Sequence, residues 1–302
     1  MRAVLFPGQG SQYVGMGSDF YRKFDSVKKV FDIVDKTLGF SLSNLILNGP
    51  ETELRLTQNT QPAIMAVGVS IFNVVNEKLN LNNSKFFAGH SLGEYTALVC
   101  AGSLSIEKAA YLLHERGKAM QDAVPEGQGA MTAVIGMSLS EVEKEIAILS
   151  KEEVCEIAND NSVGQIVVSG SKNIIEKLNK NLREKRKKGI ILPVSAPFHS
   201  SLMKKASESM KIKIEKTNFL RPKPSIISNV TAKEENDVNV IKPLLIEQIT
   251  SRVRWRESVN YMIHRGVKDF VEIGPGKILS GLVKKSNKDA KILSINALDN
   301  FN

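Results

Sequence analysis

The segment Gly89-His90-Ser91-Leu92-Gly93 constrains this chain more than any other. Lys85-Phe86-Phe87-Ala88 precedes it and reads as a short buried strand. Leu92 to Cys100 follows as a helix that ends at Gly102. A serine with glycines two residues either side, between strand and helix, marks a sharp turn that projects the hydroxyl from the end of a sheet. The glycines let strand and helix pass close. The new helix's N-terminus points its N–H groups at any oxyanion that forms there. On this reading Ser91 is a nucleophile. A plainer reading stands beside it, because Ser91-x-x-Glu94 is also a capping-box pattern in which the serine only starts the helix.

A serine hydroxyl is a weak nucleophile and needs a base. The chain has four histidines. His90 adjoins Ser91, but successive side chains on a turn point apart. His114 lies within a helix and His264 near a helix end. His199, in Ala196-Pro197-Phe198-His199-Ser200-Ser201, follows a strand where the chain passes between two units, a favoured place for a cleft. Position alone leaves it equally readable as a surface histidine.

Helical periodicity from Ser105 to Gln121 places Ala109, Leu112, Leu113 and Met120 on one apolar stripe, and Arg116 falls on the same stripe. An inward guanidinium needs a partner. A structural ion pair or a chain reaching for solvent would supply one. So would a substrate carboxylate, which arginine grips with two hydrogen bonds.

The surrounding elements set the fold class. Val4-Leu5-Phe6 is a strand leading into the loop Pro7 to Gln12, whose spacing fits no dinucleotide or P-loop fingerprint. Helices are expected from about Phe20 to Leu38 and from about Pro62 to Lys78. From Ala130 the order is strand 131–135, helix 140–149 with Ser140 and Glu143 as a capping box, and strand 154–158. A turn over 159–164, strand 165–169, helix 173–187 and strand 190–194 complete it. That is the β-α-β-β-α-β order of a ferredoxin-like unit. The chain then returns to α/β with a strand at 225–230, helices at 240–250 and 256–264, and a strand at 269–273 before a last helix. The expected architecture is an α/β core of residues 1–125 and 197–302, interrupted by an inserted unit of residues 126–196.

Composition is that of an ordinary globular chain, with 302 residues, 42% of them hydrophobic and 24% charged. Two cysteines without ligand spacing point to no metal. Neither a signal peptide nor a membrane span is expected, so a cytoplasmic location is. The net charge is +9. Its densest run, Arg183 to Lys188, reads as the solvated end of a helix, and no aromatics interleave with it as in a single-strand nucleic-acid groove.

Together these segments resemble the malonyl-CoA:acyl carrier protein transacylases of type II fatty acid synthesis, and more broadly the acyltransferase domains of polyketide synthases. The resemblance runs through Phe6 to Gln12, Gly89 to Glu94, Glu115-Arg116-Gly117 and Asn159 to Gln165. It continues in Pro197-Phe198-His199-Ser200, Glu247-Gln248 and Glu272 to Gly276. It implies a hydrolase-like α/β core with a ferredoxin-like insertion. It implies that Ser91 carries the acyl group, His199 is its base and Arg116 binds the malonyl carboxylate. The N–H groups of Gln9 and Leu92 would form the oxyanion hole, and the carbonyl of Gln248 would orient the imidazole. Phe198, Met120 and Asn159 would line the pocket, with the register of Asn159-Asp160-Asn161 open. The implied partners are malonyl-CoA and an acidic acyl carrier protein that brings its own phosphopantetheine. No cofactor, metal, nucleic acid or membrane is expected, and a monomer is. A polyketide acyltransferase acting in trans and a serine esterase or lipase with the same elbow are the alternatives.

Overall fold

A computed structural model describes residues 1–194 and 196–301. Ser195, in the expected insertion, and Asn302 lie outside them. Among the described residues ten strands form two sheets: β1 (Arg2–Phe6), β2 (Phe86–Gly89), β3 (Gly129–Ile135), β4 (Cys155–Ser162), β5 (Gln165–Ser171), β6 (Lys188–Ile191), β7 (Ser225–Ile227), β8 (Glu234–Glu235), β9 (Asp269–Ile273) and β10 (Lys291–Ile295). The larger sheet has the order β10-β9-β1-β2-β7-β8, parallel except for β8.

Alternation along Ala3 to Phe6 of β1 and along β2 shows why these stretches carry no polar side chain. Val4, Phe6 and Phe87 pack into one core with the helix Thr57–Leu79. Ala3, Leu5, Phe86 and Ala88 pack into a second core with the helices Trp255–His264 and Ile278–Ser286. A parallel sheet covered on both faces favours apolar side chains on both sides of a strand.

The second sheet has the order β4-β5-β3-β6 and is antiparallel throughout. The helices Leu139–Leu149 and Lys172–Glu184 bury Val142, Ile146, Ile175 and Leu178 against Val134, Ile166 and Val168 on one face. Met131, Ala133 and Val167, from the other face, join the main core. The ferredoxin-like order holds, and the small sheet is built into the core rather than tethered to it.

Several expected boundaries move. The turn expected over 159–164 is mostly strand: β4 runs on through Asn159, Asp160 and Asn161 to Ser162, with two register shifts. Docking overrides the turn-like composition here. Asp160 N–H donates to Val253 O, Val253 N–H donates to Ala158 O, and the buried Asp160 carboxylate takes both arms of Arg256 at 2.7–3.1 Å. The expected helix 20–38 breaks at Phe24, which is extended (φ −124°) with its ring against Phe20, so that Asp25 starts a second helix. The capping box is two residues earlier than expected, Ser138 with Glu141.

The helix expected to start at Pro62 begins at Thr57. Proline removes the N–H that would reach the Gln58 carbonyl one turn back. His114 Nδ1, 3.0 Å from that oxygen, takes its place. The helix Lys204–Lys216 and strand β10 were not expected at all.

Two glycines fix the elbow. A Cβ on Gly89 would stand 1.9 Å from the Gly93 backbone, and one on Gly93 would stand 2.3 Å from Phe6 O. Backbone cannot give way as a side-chain tip can. Gly93→Ala is therefore expected to destabilise the protein by about 3 kcal/mol or more. A urea midpoint unchanged from wild type would show that this close approach is not required.

Candidate active site

The elbow places Ser91 at φ 52°, the left-handed region that a β-carbon disfavours, between β2 and the helix Gly93–Cys100. It is held there from outside. Asn229 Oδ1 accepts the Ser91 N–H at 2.7 Å, and Asn229 Nδ2 donates to Gly89 O at 2.7 Å. The capping-box reading of Ser91 fails: the Glu94 side chain turns to Asn229 and Gln248, and the serine hydroxyl faces a base.

That base is His199, whose Nε2 lies 2.8 Å from Ser91 Oγ. His199 is also left-handed (φ 57°) and buried. Its loop is wedged at the junction of the sheets, where a Cβ on Gly129 of β3 would meet the Pro197 ring at 2.3 Å. Its Nδ1 lies 2.8 Å from Gln248 O. A carbonyl can only accept, so Nδ1 carries the proton and Nε2 presents its lone pair to Ser91. Gln248 caps the helix Val238–Glu247. Carbonyls at a helix C-terminus lack intrahelical donors, which leaves this one free for the imidazole. Burial holds the His199 pKa down at about 3, and the Arg116 charge pushes the same way. The imidazole is neutral at pH 7.

Arg116 is 1% exposed, which rules out a chain reaching for water. Its position follows from Gly117, where a Cβ would lie 2.5 Å from Gln58 Cα. This close crossing of the helices Ile106–Asp122 and Thr57–Leu79 puts Arg116 beside Gln61. Nη1 donates to Gln61 Oε1 at 2.8 Å, and Nη2 donates to Gln248 Oε1 at 2.8 Å and to Ser91 Oγ at 3.1 Å. All three acceptors are neutral, and Nε has no partner among the described residues. Burial lowers the guanidinium's pKa, opposed by Tyr95 and Glu94. An arginine so far above neutrality keeps its proton. The structural ion-pair reading thus gives way to a buried cation that no carboxylate touches among the described residues.

Ser91, His199 and Arg116 line one cavity of about 340 Å³, together with Gln9, Met120, Asn159 and Phe198. Leu92 follows Ser91, and Gln248 lies behind Arg116 and His199. The N–H groups of Gln9 and Leu92 donate to no acceptor among the described residues. The Gln9 loop is pressed against the elbow: a Cβ on Gly8 would meet His90 O at 2.6 Å. His90 itself turns away to Asn161 Oδ1 at 2.9 Å. Among the described residues no three metal-ligating side chains gather as for a metal ion, and no helix is long and apolar enough to cross a membrane.

Three residues of this network escaped sequence reading. Gln61 carries a signal in hindsight, being polar at the head of the apolar run Ala63 to Val67. Glu94 was visible only as half of a capping box. Asn229, in a loop 138 positions from Ser91, leaves no local pattern.

The family model described as acyl transferase domain matches residues 4–298. The chain belongs to the acyl transferase domain family. Its relatives in that family include a malonyl CoA-acyl carrier protein transacylase of Bacillus subtilis (strain 168), 44% identical over 296 residues, which are 97% of this chain and 92% of that protein. The crystal structure of an acyl-carrier-protein-S-malonyltransferase from Bartonella henselae superposes with a TM-score of 0.96 at 43% identity, covering 99% of this chain and 96% of the other. The structure of a type II PKS acyl-carrier protein in complex with its malonyl-transacylase contains a chain that superposes with a TM-score of 0.95 at 36% identity. There the match covers 99% of this chain and 97% of the other.

Proposed function

We propose that this acyl transferase moves a malonyl group from malonyl-CoA to the phosphopantetheine thiol of an acyl carrier protein, through an ester on Ser91, for fatty acid synthesis. The observation that carries the reading is Arg116, a buried cation hydrogen-bonded only to neutral oxygens and 3.1 Å from the nucleophilic hydroxyl. An esterase or lipase acting on plain acyl chains has no use for such a charge, whereas a malonyl carboxylate pairs with it.

The steps follow from the site. Ser91 Oγ attacks the thioester carbonyl carbon while His199 Nε2 takes its proton. The oxyanion rests on the N–H groups of Gln9 and Leu92. The carbon–sulfur bond breaks, and the CoA sulfur leaves with the proton from His199. Malonyl-Ser91 remains. The carrier's thiol then gives its proton to His199 and attacks the ester carbonyl, and Ser91 leaves with that proton returned. The cycle is ping-pong. Gln248 O keeps the imidazole in the tautomer that both halves need. Phe198, Met120 and Asn159 shape the space around the acyl group. The enzyme needs no cofactor of its own, works in the cytoplasm and acts as a monomer. Its net charge of +9 suits an acidic carrier surface and steers encounter with it.

Intact-mass measurement tests the scheme. Malonyl-CoA is expected to load one malonyl group on wild type and none on Ser91→Ala, and a holo-carrier to discharge it. Release of free malonate without transfer would mean a hydrolase instead. The relative solved with a type II PKS carrier makes a polyketide carrier the second acceptor to compare.

A further inference from the structure

Glu94 takes no part in these steps, yet its carboxylate is buried in the first turn after Ser91. We propose that Glu94 is a positioning residue for transacylation: its carboxylate holds Asn229 and Gln248, and these two hold the nucleophile, the base and the carboxylate clamp. The inference rests on the transacylase reading.

The contacts converge on one oxygen. Glu94 Oε2 accepts Gln248 Nε2–H at 2.7 Å and Asn229 N–H at 3.0 Å. Asn229 passes the constraint to the elbow through its bonds to the Ser91 N–H and Gly89 O. Gln248 passes it three ways. Its Nε2 also donates to Ser91 O at 3.2 Å, its Oε1 receives Arg116 and its main-chain O receives His199.

A side-chain amide has two orientations, and here only one works. Turned over, Gln248 would set its NH₂ against the guanidinium and its oxygen against the carboxylate. An anion at Glu94 therefore fixes which end of the amide meets Arg116. The anion and the cation, buried near each other, are joined through this amide.

The charge state matters for that role. Burial raises the Glu94 pKa to about 7, against the pull of Asn229, Gln248 and the Arg116 charge, with Glu235 of β8 adding to the rise. The other titratable groups around it leave the neutral range clear. His199 sits at about 3, Tyr95 at about 12, and Arg116 stays charged. Glu235, the carboxylate that pushes on Glu94, is itself raised above its ordinary value by burial and by Asp237. For stability the sign is adverse. The folded value lies above the ordinary 4.5, so the fold loses stability as pH rises from there toward about 7. An ionised Glu94 therefore costs the fold stability at neutral pH.

The test uses the full chain with Glu94→Gln and Glu94→Ala, measuring kcat/KM for malonyl-CoA and acetyl-CoA against pH. Wild type is expected to lose malonyl activity below about pH 7 and to level off near the rate of Glu94→Gln. Glu94→Gln, which still offers an acceptor oxygen, is expected to lack that acid limb and to melt above wild type at pH 8. Glu94→Ala frees the Gln248 amide, so the malonyl-over-acetyl ratio should fall about tenfold or more. The ratio is read on folded enzyme, so loss of protein cannot imitate it. If Glu94→Ala does not fold, Glu94→Gln decides alone. An acid limb retained in Glu94→Gln, a lower melting point at pH 8, or an unchanged ratio in Glu94→Ala overturns the inference. A wild type that never forms malonyl-Ser91 sinks the transacylase reading instead.

Discussion

With His199 replaced by alanine, malonyl-CoA is expected to load Ser91 about 10²–10⁴ times more slowly. Among the described residues no other base touches Ser91 Oγ. His90 is turned to Asn161, and Arg116, the other group bonded to Ser91 Oγ, is a cation that can only donate. The imidazole is neutral because burial and Arg116 both oppose its charging. It is therefore in the form that accepts a proton across the whole neutral range, and its own titration puts no limb in the neutral pH profile. Rapid quenching followed by intact mass reads the loading step alone. Loading within a factor of a few of wild type would show that the 2.8 Å contact between Ser91 and His199 is not the route of the proton.

Arg116→Ala is expected to lower kcat/KM for malonyl-CoA by about 10²–10³, the effect of removing the partner of a buried carboxylate. Acetyl-CoA should behave differently. It brings no charge to pair with the guanidinium, and in its presence Arg116 goes on hydrogen-bonding Ser91 Oγ and depressing His199. Removing Arg116 lifts both restraints, so acetyl loading is expected to hold or rise. Competition between the two thioesters, followed by mass, measures the ratio in one vessel. Malonyl loading equal to wild type would mean that Arg116 is structural and that the carboxylate is recognised elsewhere.

What the sequence disclosed about this protein tracks the range of the forces involved. The elbow was legible because its glycines, strand and helix all lie between Phe86 and Cys100, and their clash geometry is local. Arg116 was legible because helical periodicity forced it inward. Pairing Ser91 with His199 needed the family resemblance, since the two are 108 positions apart and nothing in the spacing joins them. The misread segment Asn159 to Ser162 shows the converse. Its composition favours a turn, but Arg256, Val253 and His90 hold it extended from outside. The capping box slipped because Ser138-Leu139-Ser140-Glu141-Val142-Glu143 contains two overlapping copies of the pattern, and the helix uses the first.

Gln248 serves two masters with chemically separate parts. Its amide reaches Arg116, while its main-chain carbonyl reaches the imidazole. A carbonyl belongs to every amino acid, so any residue at this position supplies the partner of His199 as long as the helix ends where it does. Mutagenesis at 248 can delete the amide's contribution and is blind to the carbonyl's. The hold on the arginine depends on which residue stands at 248, whereas the partner of His199 is a property of where a helix stops.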